Sequence, residues 1–135
     1  ITDTCIGVLN GVFYNAATTQ KPTFQNYYSQ VTPANSENIT AFVIDNPHQL
    51  YVGMIDTAIP IANMGATFGF ATTTGSTTSG QSTNKVLLAG GSATANTWRT
   101  VRIAEDPENQ DIAAANCSVV FVQNLNQYNN GVTMA

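Results

Sequence analysis

No window of about eleven residues in this chain carries an apolar stripe at i, i+3, i+4 and i+7. Gly, Thr or Asn interrupts every stretch where such a stripe begins. Short β-branched and aromatic runs recur instead along the whole length. They are CIGVLNGVFYN (5–15), ITAFVID (39–45), QLYVGMI (49–55), ATFGFAT (66–72), KVLLAG (85–90), TWRTVRIA (97–104) and CSVVFVQNL (117–125). That is about seven strands separated by turn residues, the pattern of a small antiparallel β-barrel or sandwich. The expected fold is therefore all-β with an extended N-terminal segment. Residues 1–38 are read as that segment or arm with the first strand, and 39–135 as the barrel or sandwich of a single overall domain.

Two elements are specific enough to test. ITAFVID and QLYVGMI flank DNPH, where Pro47 presets a turn, and are expected to pair as a hairpin. In the last run Val119 and Phe121 lie on one face and Val120 and Val122 on the other, which predicts a central strand covered on both sides.

At 135 residues the chain can bury a core without help from metals or disulfides. Charged residues make up only 9% of it, against about 25% in an ordinary domain. Thr, Asn, Gln and Ser supply the polarity, as suits a β-rich surface. The net charge is −4, and the basic residues are scattered at Lys21, Lys85, Arg99 and Arg102. Phosphate neutralisation needs a basic patch, so nucleic acid is excluded as a partner, and so is an anionic membrane surface. No apolar run approaches the ~18 residues of a membrane span. The chain begins at Ile1 without Met or a signal-peptide pattern, which points to processing or incompleteness at that end.

The motifs that suggest chemistry dissolve on inspection. GSTTSGQSTNK (75–85) has the glycine spacing of a phosphate-cradling loop, but Gln81 stands where the lysine belongs. A strand, not a helix N-terminus, follows it, so the backbone N–H groups are not aimed at an anion. It reads as a solvated connection. His48, the only histidine, sits in a turn with no nucleophile near it in sequence. Glu105, Asp106, Glu108 and Asp111 lack the glycine and spacing of a Ca²⁺ loop, and are read as a solvated loop with cation binding left open. Cys5 and Cys117 are either free thiols or one bridge. The sequons at Asn38 and Asn116 stand at strand entrances and are read as chance. No catalytic, cofactor or metal residues are assigned, and an enzyme is the least favoured class.

The N-terminal segment is different. NAATTQKPTFQNYYSQVTPANSEN (15–38) has three aromatics, Phe24, Tyr27 and Tyr28, and little alternation. So long a stretch without regular structure is an arm or functional. Its aromatics either pack back on the domain or dock on a neighbouring chain.

Three stretches in order carry a resemblance: GVFYNAATTQKPTFQNYYSQ (11–30), the long segment 39–88 with its Asp45-Asn46-Pro47 turn and Gly/Ser/Thr loop, and 98–128 with Pro107-Glu108-Asn109. Together they resemble the small head-decoration, or capsid cement, proteins of tailed bacteriophages. This chain departs from the pattern in carrying QDIAAAN between the P-E-N turn and the last strand. The resemblance implies a virion structural protein on the outer surface of the capsid. It also implies the major capsid protein as partner, a homo-oligomer with a trimer favoured, no cofactor, and contact through Phe24, Tyr27 and Tyr28. A different class also fits the residues: a carbohydrate-binding or adhesive β-domain using Trp98, Tyr128 and the amides of NLNQYNNG. A self-polymerising filament subunit is a third.

Overall fold

The computed structural model describes residues 5–28, 39–71, 74–76, 78–92 and 96–128. Among these the protein is all-β, with eight strands in two antiparallel sheets, no α-helix, and one 3-10 turn at Ile61–Asn63. The three-stranded sheet has the order β2-β1-β3, formed by β1 (Val8–Asn15), β2 (Pro22–Gln25) and β3 (Thr40–Ile44). The five-stranded sheet has the order β4-β8-β7-β5-β6. Its strands are β4 (Leu50–Met54), β5 (Thr67–Ala71), β6 (Lys85–Ser92), β7 (Trp98–Ile103) and β8 (Ser118–Gln123). Two compact units follow: Gly7–Asp45 with Thr74–Thr83, and Ile1–Ile6 with Asn46–Thr73 and Asn84–Ala135.

The eighth strand beyond the expected seven is β2. It lies inside the segment that alternation left without structure, because four residues starting at a proline give no periodic signal. Pro22 is tolerated because β2 is an edge of its sheet. The expected hairpin across DNPH does not form. The turn itself is there: the His48 N–H donates to Asn46 Oδ1 at 3.0 Å and the Gln49 N–H to the Asn46 carbonyl at 3.1 Å. Its flanking strands, however, belong to different sheets, β3 pairing with β1 and β4 with β8. Turn chemistry is local, whereas strand partners are chosen by which apolar faces need covering.

In the five-stranded unit β8 is central, as its two apolar faces require, with Val119, Val120 and Phe121 all buried. The core is aromatic. The Phe121 ring stacks on Tyr51 at 5.9 Å and meets Trp98 and Phe70 edge-on at 5.2 and 5.6 Å. Such pairs add about 0.5–1.5 kcal/mol each beyond the area they bury. Gly53 makes room for them, since a Cβ there would lie 2.7 Å from Phe121 Cε1. The sheet's two edges meet at one corner. Ile55 bridges Val86, the Asp56 N–H donates to the Val86 carbonyl at 2.9 Å, and the Leu88 N–H donates to Asp56 Oδ1 at 2.8 Å. A carboxylate there takes the place of a strand carbonyl.

Cys5 and Cys117 are free thiols. Burial pushes the Cys117 thiol above its ordinary range, helped by the Asp111 carboxylate. Burial likewise raises the Tyr51 phenol, helped by Cys5. Above the ordinary thiol range the folded chain therefore holds protons that the unfolded chain has released, and stability falls as pH rises. The urea midpoint is expected to hold to about pH 8 and to drop by about pH 10. A midpoint that rises over that interval contradicts this burial.

In the three-stranded unit Val12, Tyr14 and Ala16 form the buried face. The described residues of the 74–83 loop belong to this unit and are fastened to one another by hydrogen bonds. The Ser76 N–H donates to the Gln81 carbonyl at 3.0 Å, the Gly80 N–H to the Ser76 carbonyl at 2.9 Å, and Thr83 Oγ1 to the Thr74 carbonyl at 3.0 Å. Gly80 has φ +68°, and the Tyr27 ring lies directly where its Cβ would be. Both the backbone and the packing thus demand glycine. Gly80→Ala is expected to cost about 1–3 kcal/mol in a thermal or urea melt. Made on a Tyr27→Ala background, it should cost clearly less, because only the backbone part of the penalty remains.

Candidate functional site

The three aromatics singled out from sequence are not one patch. Phe24 is exposed on edge strand β2, with 60% of its surface open. Tyr27 is half-buried against Gly80. Tyr28 sets its ring edge-on to buried Tyr14, with centroids 6.0 Å apart. Tyr27 and Tyr28 each pack a ring against their own unit, Tyr28 while still 40% exposed, and Phe24 is the most open of the three. The rest of the expected arm, residues 29–38, lies outside the described residues, as does the sequon at Asn38.

Phe24 has other company. It is the register partner of Phe13, and Gly11, two residues from Phe13 on the same face of β1, is the partner of Phe42. Phe24 reaches across that glycine to Phe42, with ring centroids 5.7 Å apart. A Cβ on Gly11 would lie 2.8 Å from Phe24 Cζ, so the missing side chain is what lets the rings meet over the middle strand. Phe13, Phe24 and Phe42 are 38%, 60% and 45% exposed, one ring from each strand of the sheet. Sequence reasoning missed Phe13 and Phe42, because only the register brings them beside Phe24. The one available signal was the parity of Gly11 and Phe13. Lys21 and Asp45 are the only charged residues among those described in this unit, so the face is nearly neutral.

A second apolar row runs along β4, where Leu50, Val52 and Met54 are exposed while Tyr51 points into the aromatic core. Alternation along QLYVGMI contained that signal.

The remaining candidates serve structure. Asp106 accepts the Glu108 N–H at 3.1 Å and the Ser118 hydroxyl at 3.3 Å, and Asp111 accepts the Ala113 N–H at 2.9 Å. Glu105 faces Arg102 across 3.8 Å at an exposed position, where an ion pair contributes little. Among the described residues no group of three or more His, Cys, Asp or Glu could hold a metal ion. Trp98 is buried and offers no platform to a sugar. Tyr128 is 60% exposed, Asn129 and Asn130 lie outside the described residues, and two of the amides proposed there fasten the unit internally. Asn124 accepts from Arg99 at 2.8 Å and donates to the Asn96 carbonyl at 2.9 Å, and buried Asn126 donates to Gln123. Among the described residues no helix is long and apolar enough to cross a membrane.

A scan against protein-family models found no match, and neither did comparison with curated proteins or with solved structures.

Proposed function

We propose that this chain is a virion structural protein that binds the outside of a tailed-phage head and braces it, without catalysis or a cofactor. The observation that carries this reading is the aromatic face of Phe13, Phe24 and Phe42, exposed and almost uncharged on a small sheet. Exposed apolar patches of this kind mark contact surfaces, and aromatic rings lead the contributors to binding energy. The resemblance to head-decoration proteins supplies the partner, the major capsid protein. The row Leu50, Val52 and Met54 supports self-association, with a trimer expected from the same resemblance.

The work done is thermodynamic. A protein that binds only the assembled shell stabilises it by RT ln(1 + [L]/Kd) at each site. Weak contacts to several neighbouring shell subunits add up through multivalency. The acidic balance of −4 keeps such a protein off the packaged genome.

Sedimentation tests the reading. The full chain, mixed with purified heads of its own virus, is expected to pellet with them in a fixed ratio to the shell protein. Heads that pellet alone overturn it, as does selective glycan binding by a chain that leaves heads untouched. Trp98 is buried and so adds nothing to that second reading, which leaves exposed Tyr128 as its aromatic platform.

A further inference from the structure

We propose that Asn10 and Gly11 form a self-modifying site, at which Asn10 cyclises onto the Gly11 nitrogen, loses ammonia and reopens as isoaspartate. Asparagine does this only when its carboxamide can reach the nitrogen of the next residue, and a side chain on that residue obstructs the approach. Asn10 is the only asparagine among the described residues with glycine after it. A strand ordinarily protects such a pair, because the ladder holds the main chain extended and the nitrogen away from the carboxamide. β1 lifts that protection at one point. Leu9 pairs with Val43 and Gly11 with Phe42, two neighbours on β3, so Asn10 is an extra residue with no partner there. A bulged residue of this kind interrupts the ladder and bends its strand. Asn10 is also exposed, so water reaches it. Gly11 has no substitute that would slow the reaction. A Cβ there would sit 2.8 Å from Phe24 Cζ and 2.9 Å from the Gln25 carbonyl oxygen, so the contact that joins Phe24 to Phe42 keeps the labile pair in place.

The reaction consumes water and releases ammonia. The Gly11 nitrogen gives up its proton and attacks Asn10 Cγ, the Cγ–Nδ2 bond breaks, and ammonia departs with that proton. The reactants are neighbours on one chain, so no encounter in solution is needed. Water then opens the cyclic imide. Addition at Cγ yields aspartate, whereas addition at the Asn10 main-chain carbonyl yields isoaspartate, the product that predominates. Nothing is oxidised or reduced. In isoaspartate the chain runs through Cβ and Cγ, one methylene longer than before, with the freed carboxylate beside it. The extra length falls in the middle strand of the three-stranded sheet, next to the Gly11–Phe42 pair. The new charge falls on a unit whose other described charges are Lys21 and Asp45. β1 then no longer holds β3 in register, and Phe42 loses its place beside Phe24. The site is a timer that dismantles the aromatic face, whatever that face contacts.

Peptide mapping by mass spectrometry tests this on the purified full chain, held in mildly alkaline buffer at physiological temperature. Asn130–Gly131, the same dipeptide elsewhere in the chain, is the internal reference, and the incubation runs until Asn130 has converted. Asn10 is expected to gain the mass by which aspartic acid exceeds asparagine, several-fold faster than any other described asparagine. An isoaspartyl methyltransferase should then label the peptide that carries it. Asn10→Gln should stay unmodified at this site and hold its melting temperature through an incubation that lowers the wild type's. Asn10→Asp carries the charge without the added methylene, so it should melt between fresh and aged wild type. Asn10 still intact when Asn130 has converted overturns the proposal, because the ladder then protects it. An aged chain rich in isoaspartate at this position that melts like fresh protein overturns it too.

Discussion

Phe121→Ala is expected to cost about 3–5 kcal/mol of folding stability, the largest effect of any single truncation in this chain. Phe121 is buried in the central strand and touches three other rings, those of Tyr51, Phe70 and Trp98. The cavity left behind would not collapse readily. On the β4 side the ring lies over Gly53, which has no side chain to move into the gap. A domain of this size is stable by about 5–15 kcal/mol, so the variant should populate unfolded chain under mild stress. The urea midpoint should fall with little change in slope, and Trp98 fluorescence reports it directly because the indole packs edge-on to the lost ring. Phe121→Leu, which refills part of the volume, should recover a substantial share. A loss below about 1 kcal/mol would mean that the aromatic cluster is not what holds this sheet.

The second large effect concerns binding and should leave the fold alone. Replacing both Phe24 and Phe42 with serine removes two exposed rings and no buried contact of the Val12, Tyr14 and Ala16 core. Circular dichroism should therefore barely change, and the urea midpoint should fall only by the worth of the lost Phe24–Phe42 pair, about 1 kcal/mol. Aromatic anchors at an interface are worth about 2 kcal/mol or more when truncated. Losing one should weaken head binding by about 30-fold, and losing both should abolish co-sedimentation. Tyr27→Ala and Tyr28→Ala should behave in the opposite way. Their rings pack on Gly80 and Tyr14, so they should lower the melting temperature more than they lower affinity. If the serine pair still pellets with heads at wild-type affinity, the aromatic face is not the capsid contact.

The strands were largely legible because period-two alternation and β-branched content are properties of each run by itself. β8 even announced its central place, through valines on both faces. What local pattern does not contain is the choice of partner. DNPH forms its turn as read, yet β3 and β4 go to separate sheets, since the cost of leaving Tyr51 or Tyr14 uncovered is decided far from the turn. The strand expected to follow the glycine-rich 75–85 stretch is there, as β6. The stretch's actual task, seating Tyr27 on Gly80, needs two segments some fifty positions apart and leaves no trace in either alone. The candidate face was legible by one third. Phe24 stood out in an irregular segment, whereas Phe13 and Phe42 sit inside apolar runs where any aromatic reads as core. Only the register across Gly11 turns them outward beside it.

The order of strands in the larger sheet bears on how the chain reaches its fold. β4 has β8 as its ladder partner, and β8 is also the second neighbour of β7, so residues 50–54 must wait until residues 118–123 exist. Pairings this distant in sequence place the protein among slow, high-contact-order folders, in the millisecond-to-second range. During synthesis the uncharged segment LYVGM has no partner, so the emerging chain is most prone to aggregate before β8 is made.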